Sequence, residues 1–242
     1  MKKIAVLTGA GISAESGIST FRDSDGLWES YDIQKVASPE GWLENPGLVL
    51  DFYNQRRRKL SEVQPNSAHN YLKGLEKKYE VTVITQNVDD LHERAGSSNV
   101  IHLHGELLKS RSEDDDSLIY DCLGDISLGD RAEDGAQLRP HIVWFGEMVP
   151  MLDKAVKVVE DCDIMLVIGT SLMVYPAASL IHYQSFDKPI YLIDPDRMIV
   201  VPKFPNLTVI QKIASEGVKD LPLSTKKNRL FRNRFEKHKF KL

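Results

Sequence analysis

The feature that most constrains this chain is the run IAVLTGAGISA at residues 4–14, an apolar segment that breaks into a glycine turn. Gly9, Gly11 and Ala14 fit the G-x-G-x-x-G/A spacing, in which small residues let the backbone approach a pyrophosphate at a helix N-terminus. That spacing demands a strand before the turn and a helix after it. The N-terminus is therefore predicted to be a β–α unit carrying a dinucleotide, with Ala10 and Ile12 in the same loop. A redox-type site places an acidic residue about 20 positions further on, at the end of a second strand. Here that strand is missing. Phe21, Arg22, Asp23 and Trp28 stand in its place, large or charged groups in a loop where they can fold over a ligand.

Three more runs read as strands: VTVIT (81–85), IMLVIGT (164–170) and IYLID (190–194), each apolar, rich in β-branched residues and ended by polar or glycine positions. Continuous apolar strands imply a parallel sheet covered on both faces. Helical patterns at 45–60, 66–79, 153–160 and 176–184 separate them, which predicts a Rossmann-like, doubly wound α/β fold. Residues 23–60, a largely helical excursion, and residues 106–140, polar and Asp/Gly-rich, do not belong to that plan. Both are assigned to a small lobe inserted into one catalytic domain spanning 1–242, with the substrate cleft between lobe and sheet.

Composition sets outer limits. With 42% hydrophobic residues over 242 positions the chain has enough apolar material for a core. No run of 18 apolar residues occurs, and the N-terminal apolar run is too short for a signal peptide, so the chain is expected to be soluble and cytoplasmic, with no membrane partner. Two cysteines, Cys122 and Cys162, make no disulfide framework and cannot alone ligate zinc. Cys162, beside an apolar strand, reads as a core residue. Residues 225–242 hold eight Lys/Arg and one Glu, a basic tail on an otherwise acidic chain. Its interleaved Leu230, Phe231, Phe235 and Phe240 allow contact with nucleic acid or an anionic surface, but a solvated terminus is the favoured reading.

Four further segments end strands on the side where a ligand would sit: TQNVDDLHERAG (85–96), VIHLHGE (100–106), RPHIVWFGE (139–147) and GTSLMVYPAASL (169–180). Together with residues 8–28 they closely resemble the sirtuins, NAD-dependent protein lysine deacylases, over about residues 4–215. The resemblance implies that NAD is consumed as a co-substrate. The acyl-lysine oxygen attacks C1′ of the nicotinamide ribose and expels nicotinamide. A base then removes a ribose proton, and the acyl group leaves on ADP-ribose.

The resemblance also implies roles. Asn87 and Asp89, flanked by Gln86 and Val88, hold the nicotinamide carboxamide and orient the ribose; an amide needs one acceptor and one donor, which Asn with Asp supplies. In isolation, N-x-D reads better as an Asx turn capping the following helix. His102 and His104 share one strand face, and residue chemistry alone does not choose between them as the base. The H-G pairing of the family points to His104, leaving His102, His69, His92 and His141 structural. Arg22 and Asp23 are implied to contact cofactor phosphates and ribose, Phe21 to shield the reactive face, and Gly169, Thr170, Ser171 and Ala214 to line the cofactor site. Asp194 replaces a family Asn at the adenosine ribose, where a carboxylate still accepts hydroxyls and repels a 2′-phosphate. The acyl-lysine peptide is expected to enter as a strand between WFGE and LMVYP, against Phe145, Gly146 and Val174.

Tyr53 and Arg56 lie three apart in DFYNQRRR, on one face if that segment is helical. The pair resembles the class III sirtuins, which remove succinyl and malonyl groups. A phenol beside a guanidinium binds a carboxylate well, and Ala37 leaves space for the longer chain. Most sirtuins carry zinc on two cysteine pairs in the small lobe. Here the first of those positions is Ser112, and residues 106–140 hold only Cys122, so no zinc is expected. The stretch SLIYDCLGDISLG is expected to form short strands around a glycine turn, packing Leu118, Tyr120 and Leu128. The alternative reading is protein ADP-ribosyl transfer or NAD hydrolysis at the same site.

Overall fold

The computed structural model describes residues 1–19, 31–196 and 204–223. Its frame is a six-stranded sheet in the order β3-β2-β1-β7-β8-β9, with every neighbouring pair parallel. The strands are β1 (Lys2–Thr8), β2 (Tyr79–Thr85), β3 (Val100–His102), β7 (Ile164–Ile168), β8 (Ile190–Ile193) and β9 (Leu207–Ile210). The remaining three, β4 (Gly105–Ser112), β5 (Ile119–Asp121) and β6 (Leu138–Ile142), form a separate antiparallel sheet in the order β5-β4-β6. The fold is α/β and Rossmann-like, as the apolar runs imply. Among the described residues no helix is long and apolar enough to cross a membrane.

Side-chain alternation along β1 divides the main core in two. Ala5 and Leu7 pack with Ile84, Met165, Val167 and Leu192 on one face, while Ile4 and Val6 pack with Val83, Leu166, Ile168 and Ile193 on the other. Cys162 is buried in the first of these clusters. A third apolar cluster joins Val36, Trp42, Phe52, Tyr53 and Leu60 from the helical excursion to Leu107, Ile126, Ile142 and Trp144 beside the antiparallel sheet. Its main helix, Pro46–Glu62, starts sharply because the Asn45 side chain accepts the Leu48 N–H and Pro46 sits at the first helical position.

The structure departs from the sequence reading in several places. The pattern at 176–184 forms a 3₁₀ helix, Ala177–Tyr183, rather than an α-helix. Its buried residues, Ala177, Ala178, Leu180 and Ile181, recur at intervals of three, the repeat of the tighter helix. The helix expected to reach residue 79 covers Ser67–Leu75, since β2 already begins at Tyr79 to pair with Lys2. In SLIYDCLGDISLG one short strand forms, and Leu128 is 62% exposed; Ile126, at 3%, is the residue that packs. Ile126 is inside because its backbone is held there from both ends, its N–H donating to Asn54 Oδ1 and its carbonyl accepting from Asn54 Nδ2. The basic tail, residues 225–242, lies outside the described residues.

Candidate active site

The ends of β1, β2, β7 and β8 open on one cavity of about 930 Å³, walled on its other side by the small antiparallel sheet and the helix Pro46–Glu62. The cavity collects almost every described residue that the motifs single out. Gly9, Ala10, Gly11 and Ala14, Gln86 to Asp89, His104, Gly169 to Ser171, Asp194 and Ala214 line it. So do Ala37, Tyr53, Arg56, Phe145, Gly146 and Val174. Ile12 is the exception, since its side chain is fully buried in the core beneath the turn. Phe21, Arg22, Asp23 and Trp28 lie outside the described residues.

The glycine turn has an internal reason to be glycine. A Cβ on Gly11 would lie 2.7 Å from Gly169 Cα, and one on Gly9 would lie 2.8 Å from the Gly169 carbonyl oxygen. Gly169 itself has φ +65°, and a Cβ there would meet the Ile12 nitrogen at 2.3 Å. The turn after β1 and the end of β7 are thus packed backbone on backbone, joined by Gly11 N–H donating to the Gly169 carbonyl at 2.8 Å.

On the floor of the cavity a small polar network fixes Asn87 and Asp89. Asn87 Nδ2 donates to the Gly9 carbonyl (3.2 Å) and to Ser13 Oγ (3.1 Å), while Ser13 Oγ donates to Asp89 Oδ2 (2.9 Å). Among the described residues nothing donates to Asn87 Oδ1, so its acceptor stays available on the cavity wall. Asp89 Oδ1 accepts the Leu91 N–H at 3.1 Å, so the bland Asx-turn reading and a place in the site both hold for this residue. Burial pushes the Asp89 carboxyl above its ordinary pKa, against the hydrogen bonds from Leu91 and Ser13.

Geometry separates the two histidines that sequence chemistry left equal. His104 Nδ1 lies 3.0 Å from the Gln86 carbonyl, which can only accept, so the ring hydrogen sits on Nδ1 and the lone pair on Nε2. Burial lowers its pKa, favouring the neutral ring. His102 is spanned by the Asn87 carbonyl at 3.1 Å and Glu93 Oε1 at 2.8 Å. Burial opposes its protonation, but the Glu93 carboxylate outweighs that and raises its pKa. A ring with both nitrogens engaged and a proton held tightly is a structural ion-pair partner. His92 bonds Thr8 Oγ1 at 3.1 Å, and His69 accepts the Asn66 N–H in a capping box, so both are taken up by the scaffold. Gly105 is required directly after His104. It has φ +84°, and a Cβ would come within 2.1 Å of the His141 carbonyl oxygen.

The far end of the cavity is built from larger side chains. Tyr53 is 3% exposed, and Arg56, one helical turn on, stacks on the Phe52 ring at 4.3 Å. Burial pulls the Arg56 guanidinium down to a pKa of about 10 and pushes the Tyr53 phenol well up. A half-buried cation whose charge is disfavoured by its surroundings gains most from an arriving anion. Ala37 closes this end, its carbonyl accepting the Phe145 N–H at 2.9 Å.

The sequence profile of the Sir2 family matches residues 9–176. The chain belongs to the Sir2 family. It is 63% identical over 195 residues to an NAD-dependent protein deacylase of Helicobacter pylori, covering 81% of this chain and 85% of that one. It is 54% identical over 227 residues to an NAD-dependent protein deacylase of Bacteroides thetaiotaomicron, covering 91% and 97%. Among solved structures, a Sir2 homologue in complex with NAD superposes with a TM-score of 0.81 at 41% identity, covering 90% of this chain and 86% of that one.

Two parts of this Sir2 site were not singled out by sequence reasoning. Ser13 bridges Asn87 and Asp89, yet inside a glycine turn it looks like filler; a polar residue facing inward from a short helix is the only available signal. Trp144 lies within the WFGE motif but carries no spacing cue, and its indole Nε1 donates to Tyr53 Oη at 3.1 Å. In the small lobe, Ser112 Oγ donates to Asp134 Oδ2 at 2.6 Å and accepts the Asp114 and Asp115 N–H groups, tying the end of β4 to a loop 22 residues away. Among the described residues no group of three or more His, Cys, Asp or Glu is placed to hold a metal.

Proposed function

We propose that this chain is an NAD-dependent protein lysine deacylase whose acyl pocket takes acidic groups, succinyl and malonyl, as well as acetyl. The observation that carries this reading is the pairing of Tyr53 with Arg56 on the wall of the same cavity that holds Asn87, Asp89 and His104. A guanidinium and a phenol at one apolar end match a carboxylate at the end of an acyl chain.

The donor set suits NAD at the other end. Asn87 offers an acceptor to the carboxamide N–H₂, Asp89 offers a carboxylate to ribose hydroxyls, and Asp194 does the same for the adenosine ribose at the end of β8. Gly169, Thr170, Ser171 and Ala214 complete that wall, and Phe21, Arg22, Asp23 and Trp28 are assigned the loop that closes over it. When bound, NAD supplies the electrophilic ribose carbon that takes the acyl oxygen. His104 holds its lone pair on Nε2 in a buried, neutral ring and accepts a proton there as general base. The peptide backbone is recognised along Phe145, Gly146 and Val174, so side-chain sequence is read weakly and the acyl group sets specificity. The named deacylase relatives support the activity. The acyl preference rests on Tyr53 and Arg56.

Arg56→Met tests it. With succinyl- and acetyl-lysine peptides and NAD, assayed by mass spectrometry, desuccinylation kcat/KM should fall by about 30-fold or more, the effect of roughly 2 kcal/mol for a truncated buried charge pair, while deacetylation falls far less. Equal losses on both substrates would remove the acidic-pocket reading.

A further inference from the structure

Tyr53 and Arg56 leave one question about acid recognition open. A phenol oxygen carries both a hydrogen and lone pairs, and only the hydrogen attracts a carboxylate. If the phenol turned its hydrogen back into the protein, its lone pairs would face the anion and repel it. Something must decide which is presented.

Trp144 is placed to decide it. An indole N–H can only donate, so the contact of 3.1 Å from Trp144 Nε1 to Tyr53 Oη occupies a lone pair of the phenol and excludes its hydrogen from that direction. Among the described residues no acceptor bonds the Tyr53 hydroxyl, although the side chain is buried and lines the cavity. Its hydrogen is therefore left for whatever occupies the pocket beside Arg56.

Trp144 is held at its backbone and at its ring. Its backbone N–H donates to Glu147 Oε2 at 2.7 Å. The Arg139 guanidinium lies over its ring at 3.2 Å from the centroid, itself held by Glu147 at 2.8 Å and by the Ile142 carbonyl at 3.2 Å. Trp42 packs against it at 5.7 Å. These contacts hold the indole in the rotamer that keeps its N–H on the phenol.

We infer that Trp144 is a positioning residue for acidic acyl groups: by donating to the Tyr53 oxygen it turns the phenol hydrogen toward the acyl carboxylate that Arg56 holds. A hydroxyl that accepts one hydrogen bond also donates a stronger one. This rests on the acidic-acyl reading above and adds a residue 91 positions from Tyr53 in sequence.

The test is a double-mutant cycle with Trp144→Phe and Tyr53→Phe in the full chain, reading the ratio of desuccinylation to deacetylation kcat/KM and the KM of the succinyl peptide. Trp144→Phe should lower the ratio about fivefold, the worth of roughly one hydrogen bond, and mainly through KM. In the Tyr53→Phe background it should change the ratio by less than about twofold, because no phenol remains to orient. A merely structural role for Trp144 would give the same loss in both backgrounds, and that result overturns the inference. Should Trp144→Phe fail to fold, the indole ¹H–¹⁵N resonance of Trp144 in the unmodified protein, assigned by exclusion with Trp28→Phe and Trp42→Phe, gives a second reading. It should shift more on binding succinyl than acetyl peptide, and equal shifts overturn the inference. A wild-type protein with no desuccinylation overturns both the acidic-acyl reading and this one. A wild type that desuccinylates with an additive cycle overturns only this one.

Discussion

The two ends of the cavity are built by different means. At the sheet end, position comes from backbone: Gly9, Gly11 and Gly169 pack main chain on main chain, and short side chains, Asn87 and Asp89 just past β2 and Ser13 in the helix after β1, form the polar network there. At the lobe end, position comes from long side chains locked by charge, with Arg139 and Arg111 converging on Glu147 and Trp144 held between Arg139 and Tyr53. The first design leaves no room for variation, since an added methyl at Gly11 or Gly169 meets backbone. The second can be retuned by single side chains without moving a strand. Under the function proposed above, the end assigned to the cofactor is the fixed one and the end assigned to the acyl group is the adjustable one.

The sharpest way to break the comparison is at the fixed end. His104→Tyr removes the proposed base, which all acyl substrates would share, so desuccinylation and deacetylation should both fall by about 10²- to 10⁴-fold, with their ratio nearly unchanged. A selective loss would mean that His104 belongs to acyl choice. Next comes the frame of the adjustable end. Glu147→Gln leaves the buried Arg139 and Arg111 without their shared carboxylate. Because Glu147 is partly exposed, the cost should be about 2 to 3 kcal/mol, seen as a fall of roughly 5–10 °C in thermal melting. A melt within a degree of wild type would show that the clamp contributes little.

The smallest effect sharpens the choice of base. The base must be neutral, and burial depresses the His104 pKa below 6.5, so the acidic limb of kcat/KM should lie below pH 6.5. His102 has its pKa raised above 6.5 by Glu93, so a limb above pH 6.5 would favour that ring instead. A pH–rate profile with saturating NAD separates the two.

Legibility in the sequence follows the same division. The four central strands announce themselves because each is buried on both faces and must be apolar throughout, as in IAVLT and IMLVI. The edge strands β3 and β9 do not, being short, paired with a neighbour on one side only and made largely of half-buried or exposed positions. Strand-end segments single out Asn87, Asp89 and the two histidines His102 and His104 as candidates, but the preference for His104 comes from the family resemblance, because residue type and strand face are the same for both rings. Tyr53 and Arg56 are legible as a helical pair, but their partner Trp144 is not, because a contact across 91 residues leaves no spacing to read. Leu128 was expected inside and Ile126 is found there, because Asn54 grips the Ile126 backbone, a tertiary bond that local hydropathy does not carry.

One cavity is proposed to join NAD cleavage to an acidic acyl pocket. Mass spectrometry of the products from the unmodified protein, NAD and a succinyl-lysine peptide tests it most directly. Unmodified lysine peptide, nicotinamide and O-succinyl-ADP-ribose are expected in equal amounts. Peptide still succinylated, with ADP-ribose released or attached to protein instead, would contradict it.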